Sequence, residues 1–265
     1  MRRATVGTVE IFALVDNVQA YPATAVYPSA AAALQRYRHH LDAESRVVLN
    51  FASFLVRDGS DVILVDTGWG PEHQGELMNE LLEGGVASTD INTVIFTHLH
   101  GDHTGWNIDR SSGAPVFPNA RYLVPQADWD YYSAITPPPD SFTRDVAPLE
   151  RMGCIDFIGD GRRLSPACLT VATPGHTPGH TSIAITAGSE RGFILGDVCI
   201  SPIDVEEPDW QSSFDWDHPT AAATRRKTLE RLVADGALVG ASHLPVPGLG
   251  HVVTRGSRRA WQALE

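Results

Sequence analysis

Cysteine and positive charge are both in short supply. The 265 residues include three cysteines, Cys154, Cys168 and Cys199, odd in number and widely spaced. That set excludes a disulfide framework and a zinc ribbon, and it fits reduced thiols in a cytosolic, cytoplasmic protein. Twenty lysines and arginines stand against 32 aspartates and glutamates, a formal net charge of -12. An acidic chain without a basic cluster argues against nucleic acid as a partner. Long apolar runs are absent as well. None approaches the roughly 20 residues of a membrane span. The short apolar stretch after Arg2 and Arg3 is broken by Glu10, so no signal peptide is expected. The chain shows no internal repeat and no Gly-x-Ser-x-Gly elbow to announce a serine nucleophile. At 43% hydrophobic residues it is long enough for a sizeable core. A single domain over 1–265 is expected, with a small molecule as its partner and a homodimer left open.

What the chain does have is histidine in a short ordered cluster. Thr97-His98-Leu99-His100-Gly101-Asp102-His103-Thr104-Gly105 places three histidines and a carboxylate within six positions. The cluster follows Thr93-Val94-Ile95-Phe96, an apolar run that reads as a buried strand. Gly101 and Gly105 let the chain turn sharply, so several side chains can converge. Imidazole nitrogen and carboxylate oxygen suit Zn²⁺, Mn²⁺ or Fe²⁺. One ion cannot easily take all four groups from so short a segment. Two adjacent ions can, with His98 and His100 facing one and Asp102 and His103 facing the other. Such a pair needs more ligands, and later strand ends supply them. His176 follows the strand Leu169–Ala172 within Thr173-Pro174-Gly175-His176-Thr177-Pro178-Gly179-His180, Asp197 follows Phe193–Leu195, and His243 follows Ala237–Ala241. The expected set is His98, His100 and His176 for one ion and Asp102, His103 and His243 for the other, bridged by Asp197. His180 is read as a supporting residue, with ligation in place of His176 as the alternative. Asp66, at the exit of another strand, is expected to orient a ligand histidine, to hold its own turn, or both.

The elements between these points are also legible. Thr8–Val15, Val47–Val56 and Val62–Val65 read as strands, the last two joined at Asp58-Gly59. Pro71 is expected to open a helix striped by Leu77, Met78, Leu81 and Leu82 and stopped by Gly84-Gly85. Arg121–Val124, Ile155–Ile158 and Ser182–Thr186 read as further strands, and Ala127–Ser133 as a short helix. Pro219–Ala234 is the clearest helix. The segments 17–46 and 202–216 read as long and irregular, apart from a short helix near Ala30–His40. They carry Tyr21, Tyr27, Trp210, Phe214 and Trp216, readable as the wall of a substrate pocket or as surface and core. His39, His40, His73, His218 and His251 are read as surface or supporting residues. The pattern predicts an α/β protein with two packed sheets and helices on both outer faces.

The order His-x-His-x-Asp-His, then Gly-His, Gly-Asp and a late histidine resembles the metallo-β-lactamase superfamily. The resemblance implies a four-layer αβ/βα sandwich of two mixed β-sheets with outer helices, and a dinuclear site holding two divalent ions, zinc foremost. The repeated Thr-Pro-Gly-His segment is similar to the N-acyl-homoserine lactonase branch. The stretch from Phe214-Asp215-Trp216-Asp217 to His243-Leu244-Pro245 is more similar to methyl parathion hydrolase. Departures from the family narrow the choice. Penicillin-hydrolysing members carry cysteine where this chain has Asp197. The homoserine lactonases carry tyrosine three residues after the bridging aspartate, where this chain has Ile200. Flavo-diiron relatives replace the second motif histidine with glutamate, and this chain keeps His100.

The implied activity is hydrolysis of a neutral lactone or ester by a metal-bridging hydroxide, with Asp102 as the catalytic proton carrier. The alternatives are a phosphotriesterase of the methyl parathion hydrolase kind and a glyoxalase II-like thioesterase. A non-enzymatic binding member would have lost ligands, and none is missing here.

Overall fold

In the computed structural model, which describes residues 1–264, neighbouring side chains of the segment Asp61–Val65 enter two different cores. Val62 and Leu64 pack on one side, Ile63 and Val65 on the other. The same split recurs at Val94 against Ile95. A strand whose two faces are both apolar must be covered on both.

That strand is β4 of a sheet formed by β1 (Arg2–Val6), β2 (Val9–Pro22), β3 (Arg46–Asp58), β4 (Asp61–Val65), β5 (Thr93–Ile95), β6 (Arg121–Pro125) and β7 (Ile155–Ile158), lying in that order. The first four pair antiparallel and the last four parallel, so the sheet is mixed. The second sheet has β8 (Cys168–Ala172), β9 (Thr181–Ala187), β10 (Glu190–Ile194), β11 (Leu238–Gly240), β12 (Leu249–Arg255) and β13 (Arg258–Ala263). Its order runs from β13 to β8 in reverse sequence, antiparallel except between β10 and β11. Ile63, Val65 and Ile95 of the first sheet meet Ile183, Ile185 and Ile194 of the second in one inner core. On the far side of the first sheet, Leu64 and Val94 pack on Leu77 and Leu81 of the helix Leu77–Glu83 and on Tyr132 of the helix Gln126–Ala134. On the far side of the second, Phe193 and Val239 pack on Leu229 and Leu232 of the helix His218–Asp235. The layers are helix, sheet, sheet, helix, the four-layer sandwich expected.

Several segments depart from the expectations. The first long strand does not stop at Val15. It continues to Pro22 through a bulge between Val15 and Asn17, because Arg46–Phe51 offers a partner along its whole length. The bulge turns Asp16 inward, where its carboxylate accepts Trp69 N–H at 2.7 Å, Leu77 N–H at 2.8 Å and Trp106 Nε1–H at 2.9 Å. Pro71 opens a single 3₁₀ turn, Pro71–His73, that Gln74 ends with φ of 56°, and the α-helix starts only at Leu77. Residues 28–40 are 3₁₀ rather than α-helical, with a kink at Tyr37. The segment 202–216 is not wholly irregular, since Pro202–Glu206 is a helix capped by Ser201, with Asp204 reaching back to the Ser201 N–H. β1, β12, β13 and the helical turns over 142–151 were not foreseen. No helix among the described residues is long and apolar enough to cross a membrane.

Candidate metal centre and its cavity

Every strand exit singled out in the sequence opens at one rim of the sandwich. The loop after β5 carries His98, His100, Asp102 and His103; the β8–β9 loop carries His176; the turn after β10 carries Asp197; the end of β11 leads to His243. These side chains form two groups whose liganding atoms lie within 4.8 Å of one another: His98, His100 and His176, and Asp102, His103, Asp197 and His243.

In the first group His100 Nδ1 lies 3.0 Å from His98 Nε2 and 3.0 Å from His176 Nε2. In the second, Asp102 Oδ2 is 3.4 Å from His103 Nε2 and 3.5 Å from His243 Nε2. Asp197 touches both groups. Its Oδ2 is 3.3 Å from His176 Nε2 and 3.0 Å from His243 Nε2, and its Oδ1 is 3.4 Å from His103 Nε2.

The outer nitrogens explain why the inner ones are bare. Thr97 Oγ1 donates to Asp66 at 2.7 Å and so accepts from His98 Nδ1 at 3.0 Å. His103 Nδ1 donates to Asp66 at 2.9 Å, His176 Nδ1 to Asp215 at 3.4 Å, and His243 Nδ1 to the Asn50 carbonyl at 2.7 Å. Each ring therefore keeps its proton outside and turns the lone pair of Nε2 inward. Lone pairs facing one another at about 3 Å repel unless a cation lies among them. That spacing matches ligands about 2.0–2.1 Å from a shared ion. Two buried atoms, His103 Nε2 and Asp197 Oδ1, have no hydrogen-bond partner, as metal ligands would not. The residues thus fit divalent metal.

Charge points the same way. Burial, then the neighbouring His176, pushes His100 down to about 3, so it stands neutral. Burial opposes charge on His103 and Asp197. The carboxylates of Asp197, Asp102 and Asp66 nevertheless raise the His103 pKa well above the usual imidazole value, and the histidines, His243 first, hold Asp197 well below the usual carboxylate range. The three carboxylates draw positive charge into the cluster, a proton on His103 when no cation is bound and a metal ion in its place when one is.

His180 does not join the cluster. Its Nε2 accepts the Asp197 N–H at 2.9 Å, and its Nδ1 faces Thr173 Oγ1 at 2.9 Å. Gly196 permits this approach: a Cβ there would lie 2.6 Å from His180 Nε2. Asp66 faces His103 Nδ1 through Oδ2 at 2.9 Å and accepts the Thr97 N–H through Oδ1 at 2.7 Å.

The ions would sit at the floor of a cavity of about 430 Å³. Of the five aromatic residues singled out in the sequence, Tyr21 and Phe214 line it, together with Leu49, Phe51, Trp69 and Ile200. Three other expected wall residues lie elsewhere. Tyr27 is fully buried in the core with its hydroxyl on Ser201 Oγ at 2.8 Å, and Trp210 packs on Tyr27 and Tyr37. Trp216 is half exposed and packs edge-on against Tyr131. Leu49 and Phe51 went unnoticed because they lie in an ordinary-looking strand.

Sequence reasoning also missed three charged residues behind the ligands. Asp128 is completely buried and joins the two ligand loops, accepting Leu99 N–H at 3.1 Å, Thr177 Oγ1–H at 2.9 Å and Gly179 N–H at 2.5 Å. Burial pushes its carboxyl up to about 6 against the pull of those donors. Asp215 holds His176 and is held in turn by Arg225 Nη2 at 3.1 Å. Arg225 also donates to the carbonyls of Val198, Pro208 and Trp210. A signal for Arg225 was present: it occupies the buried stripe of Ala221, Leu229 and Leu232, where an arginine must have internal partners.

The family model of the Metallo-beta-lactamase superfamily matches residues 49–243. "Metallo-beta-lactamase domain-containing protein 1" of Homo sapiens is 28% identical over 180 residues, 67% of this chain and 57% of that protein. "N-acyl homoserine lactonase AttM" of Rhizobium radiobacter is 30% identical over 126 residues, 42% of each chain. The matched part spans about half the length of these curated relatives. Among solved structures, "AidC, a Dizinc Quorum-Quenching Lactonase" in complex with a product superposes with a TM-score of 0.87 at 26% identity, over 100% of this chain and 97% of that one.

Proposed function

The chain belongs to the metallo-beta-lactamase superfamily, and from that premise we propose that it is a metal-dependent hydrolase of the lactonase type acting on a neutral lactone or ester. The observation that carries the reading is the set of inward lone pairs of His98, His100, His176, His103 and His243, gathered around Asp197 at the floor of an apolar cavity. A pair of divalent ions, zinc foremost, would be held there, His98, His100 and His176 on one side and Asp102, His103 and His243 on the other, with Asp197 between. Bound ions supply Lewis acidity toward a carbonyl oxygen and lower the pKa of water toward about 7.

The chain's own residues set what can react. Leu49, Phe51, Trp69, Ile200 and Phe214 give the cavity an apolar lining that favours an apolar acyl or aryl group. Phe51 stands edge-on to His243 at 4.8 Å, so the wall reaches the floor without a gap. Asp102 lines the cavity and is kept ionised: burial works against its charge, but His103 and His243 outweigh burial. Its exposure to the cavity and its charge support a role as the carrier that accepts a proton at Oδ and returns it to the leaving oxygen. Ile200 brings no hydroxyl to the substrate. The phenol on this wall is Tyr21, delivered by the extended β2. The net charge of -12 disfavours anionic substrates.

Steady-state kinetics at equal metal loading test the proposal with a neutral lactone, an aryl ester, a phosphotriester, a glutathione thioester and a β-lactam. The lactone or aryl ester should give the highest kcat/KM, the phosphotriester less and the β-lactam little. A β-lactam or a polyanionic substrate in first place overturns the substrate class.

A further inference from the structure

Outside the cavity, His39, His40 and Glu206 bring two imidazoles and a carboxylate within 4.8 Å of one another. The three come from two separate segments, the 3₁₀ stretch Pro28–His40 and the end of the helix Pro202–Glu206. We propose that His39, His40 and Glu206 form a further divalent-metal site, selective for zinc, nickel or copper, that ties the 28–40 segment to the 202–206 helix.

The chemistry of the donors comes first. Two imidazole nitrogens and one carboxylate oxygen are a set that borderline ions take and that calcium or magnesium, with their demand for oxygen, do not. The geometry comes second. His40 Nε2 is 2.6 Å from Glu206 Oε1, and His39 Nε2 is 3.8 Å from the same oxygen. Consecutive residues on a helix of three residues per turn point roughly 120° apart. The rings of His39 and His40 nevertheless lie with centroids 4.0 Å apart. Both have swung toward Glu206, just beyond the kink at Tyr37. Room comes third. His39 and His40 border a cleft of about 320 Å³, also lined by Pro202 and Val246, so water can complete the coordination. An ion there replaces the hydrogen that His40 shares with Glu206 and gives His39 a partner.

The location gives the site a consequence. Pro28–His40 and Pro202–Glu206 pack together through Leu34, Tyr37 and Ile203, in the same core as Ile200 and Phe51 of the catalytic wall. Cross-linking the two segments therefore stiffens the backing of that wall without touching the candidate catalytic residues.

The test counts ions on the full chain with its dinuclear centre loaded. Equilibrium dialysis against Zn²⁺, followed by elemental analysis, compares wild type, His39→Ala and the double variant His39→Ala/His40→Ala. His39 is exposed, so its replacement alone leaves the fold intact. Wild type should bind one equivalent more than either variant, and its melting temperature should rise with added Zn²⁺ beyond the rise seen in the variants. One equivalent of Cu²⁺ added to the zinc-loaded protein should give, in wild type, an electron paramagnetic resonance component with nitrogen coupling that is missing from the double variant. Equal ion counts in all three proteins overturn the site, as does a Cu²⁺ spectrum that is identical in wild type and the double variant. The comparison is a difference between proteins sharing one dinuclear centre, so a failure of that centre changes the total and leaves this difference readable.

Discussion

His180 accepts the backbone N–H of Asp197 through Nε2 at 2.9 Å, which spends on the main chain the nitrogen a metal would need. Its neighbour in the repeated Pro-Gly-His segment, His176, points Nε2 at His100 and Asp197 instead. His176→Ala should therefore lose metal affinity far more than His180→Ala. The effect of His180→Ala should be on stability, since it frees a buried N–H at about 1–3 kcal/mol. Titration with a competing chromophoric chelator, alongside thermal melts, separates the two. The reverse ranking would move the ligand to His180.

Asp197 should couple both halves of the centre. Asp197→Ala is expected to bind fewer than two ions and to lose turnover at the same time. In wild type, removing metal with a chelator and then restoring zinc to 100 times its Kd should recover about 2.7 kcal/mol for each ion bound, or about 5–10 °C in melting temperature per ion. Calorimetry and elemental analysis on the same samples provide the check. Full metal content with near-normal turnover in Asp197→Ala would refute the bridging role.

Asp66 offers a finer probe. Its backbone is left-handed, φ 61°, a conformation asparagine also tolerates, so Asp66→Asn leaves the turn undisturbed. The new amide, however, places a donor where Asp66 Oδ2 now accepts from Thr97 Oγ1 and His103 Nδ1. Metal affinity should fall about 10- to 100-fold, and the metal-free protein should lose about 1–3 kcal/mol of stability to the unsatisfied buried donors. An unchanged affinity would show that Asp66 serves only its turn.

The cysteines give a prediction independent of metal. Burial first raises the Cys168 thiol to about 11 even though Ser165 donates to it, and burial raises Cys199 further still. At pH 8 roughly one Cys168 in a thousand is ionised, and the thiolate is the reactive form. Native protein should be alkylated at Cys154, the partly exposed one, with Cys168 and Cys199 labelled only in denaturant. Peptide mapping reads this directly, and rapid native labelling of Cys199 would contradict its packing.

The sequence alone determined the types of the candidate ligands, their order and their placement at strand ends. Metal binding needs particular donor atoms at short spacing, and His98 to His103 carry that spacing within one turn of chain. Strands with two apolar faces also announced a buried sheet. What the sequence left open depends on contacts between residues far apart. His176 and His180 sit in near-identical local sequence, and only the approach of Gly196 to one ring assigns them different tasks. Tyr27 and Trp210 look like pocket aromatics until the kinked 28–40 segment folds over them and the pocket wall passes to Leu49 and Phe51. Asp128, Asp215 and Arg225 are single charges in unremarkable surroundings. Their meaning appears when separate loops close on them and burial leaves each charge no partners except those behind the ligands.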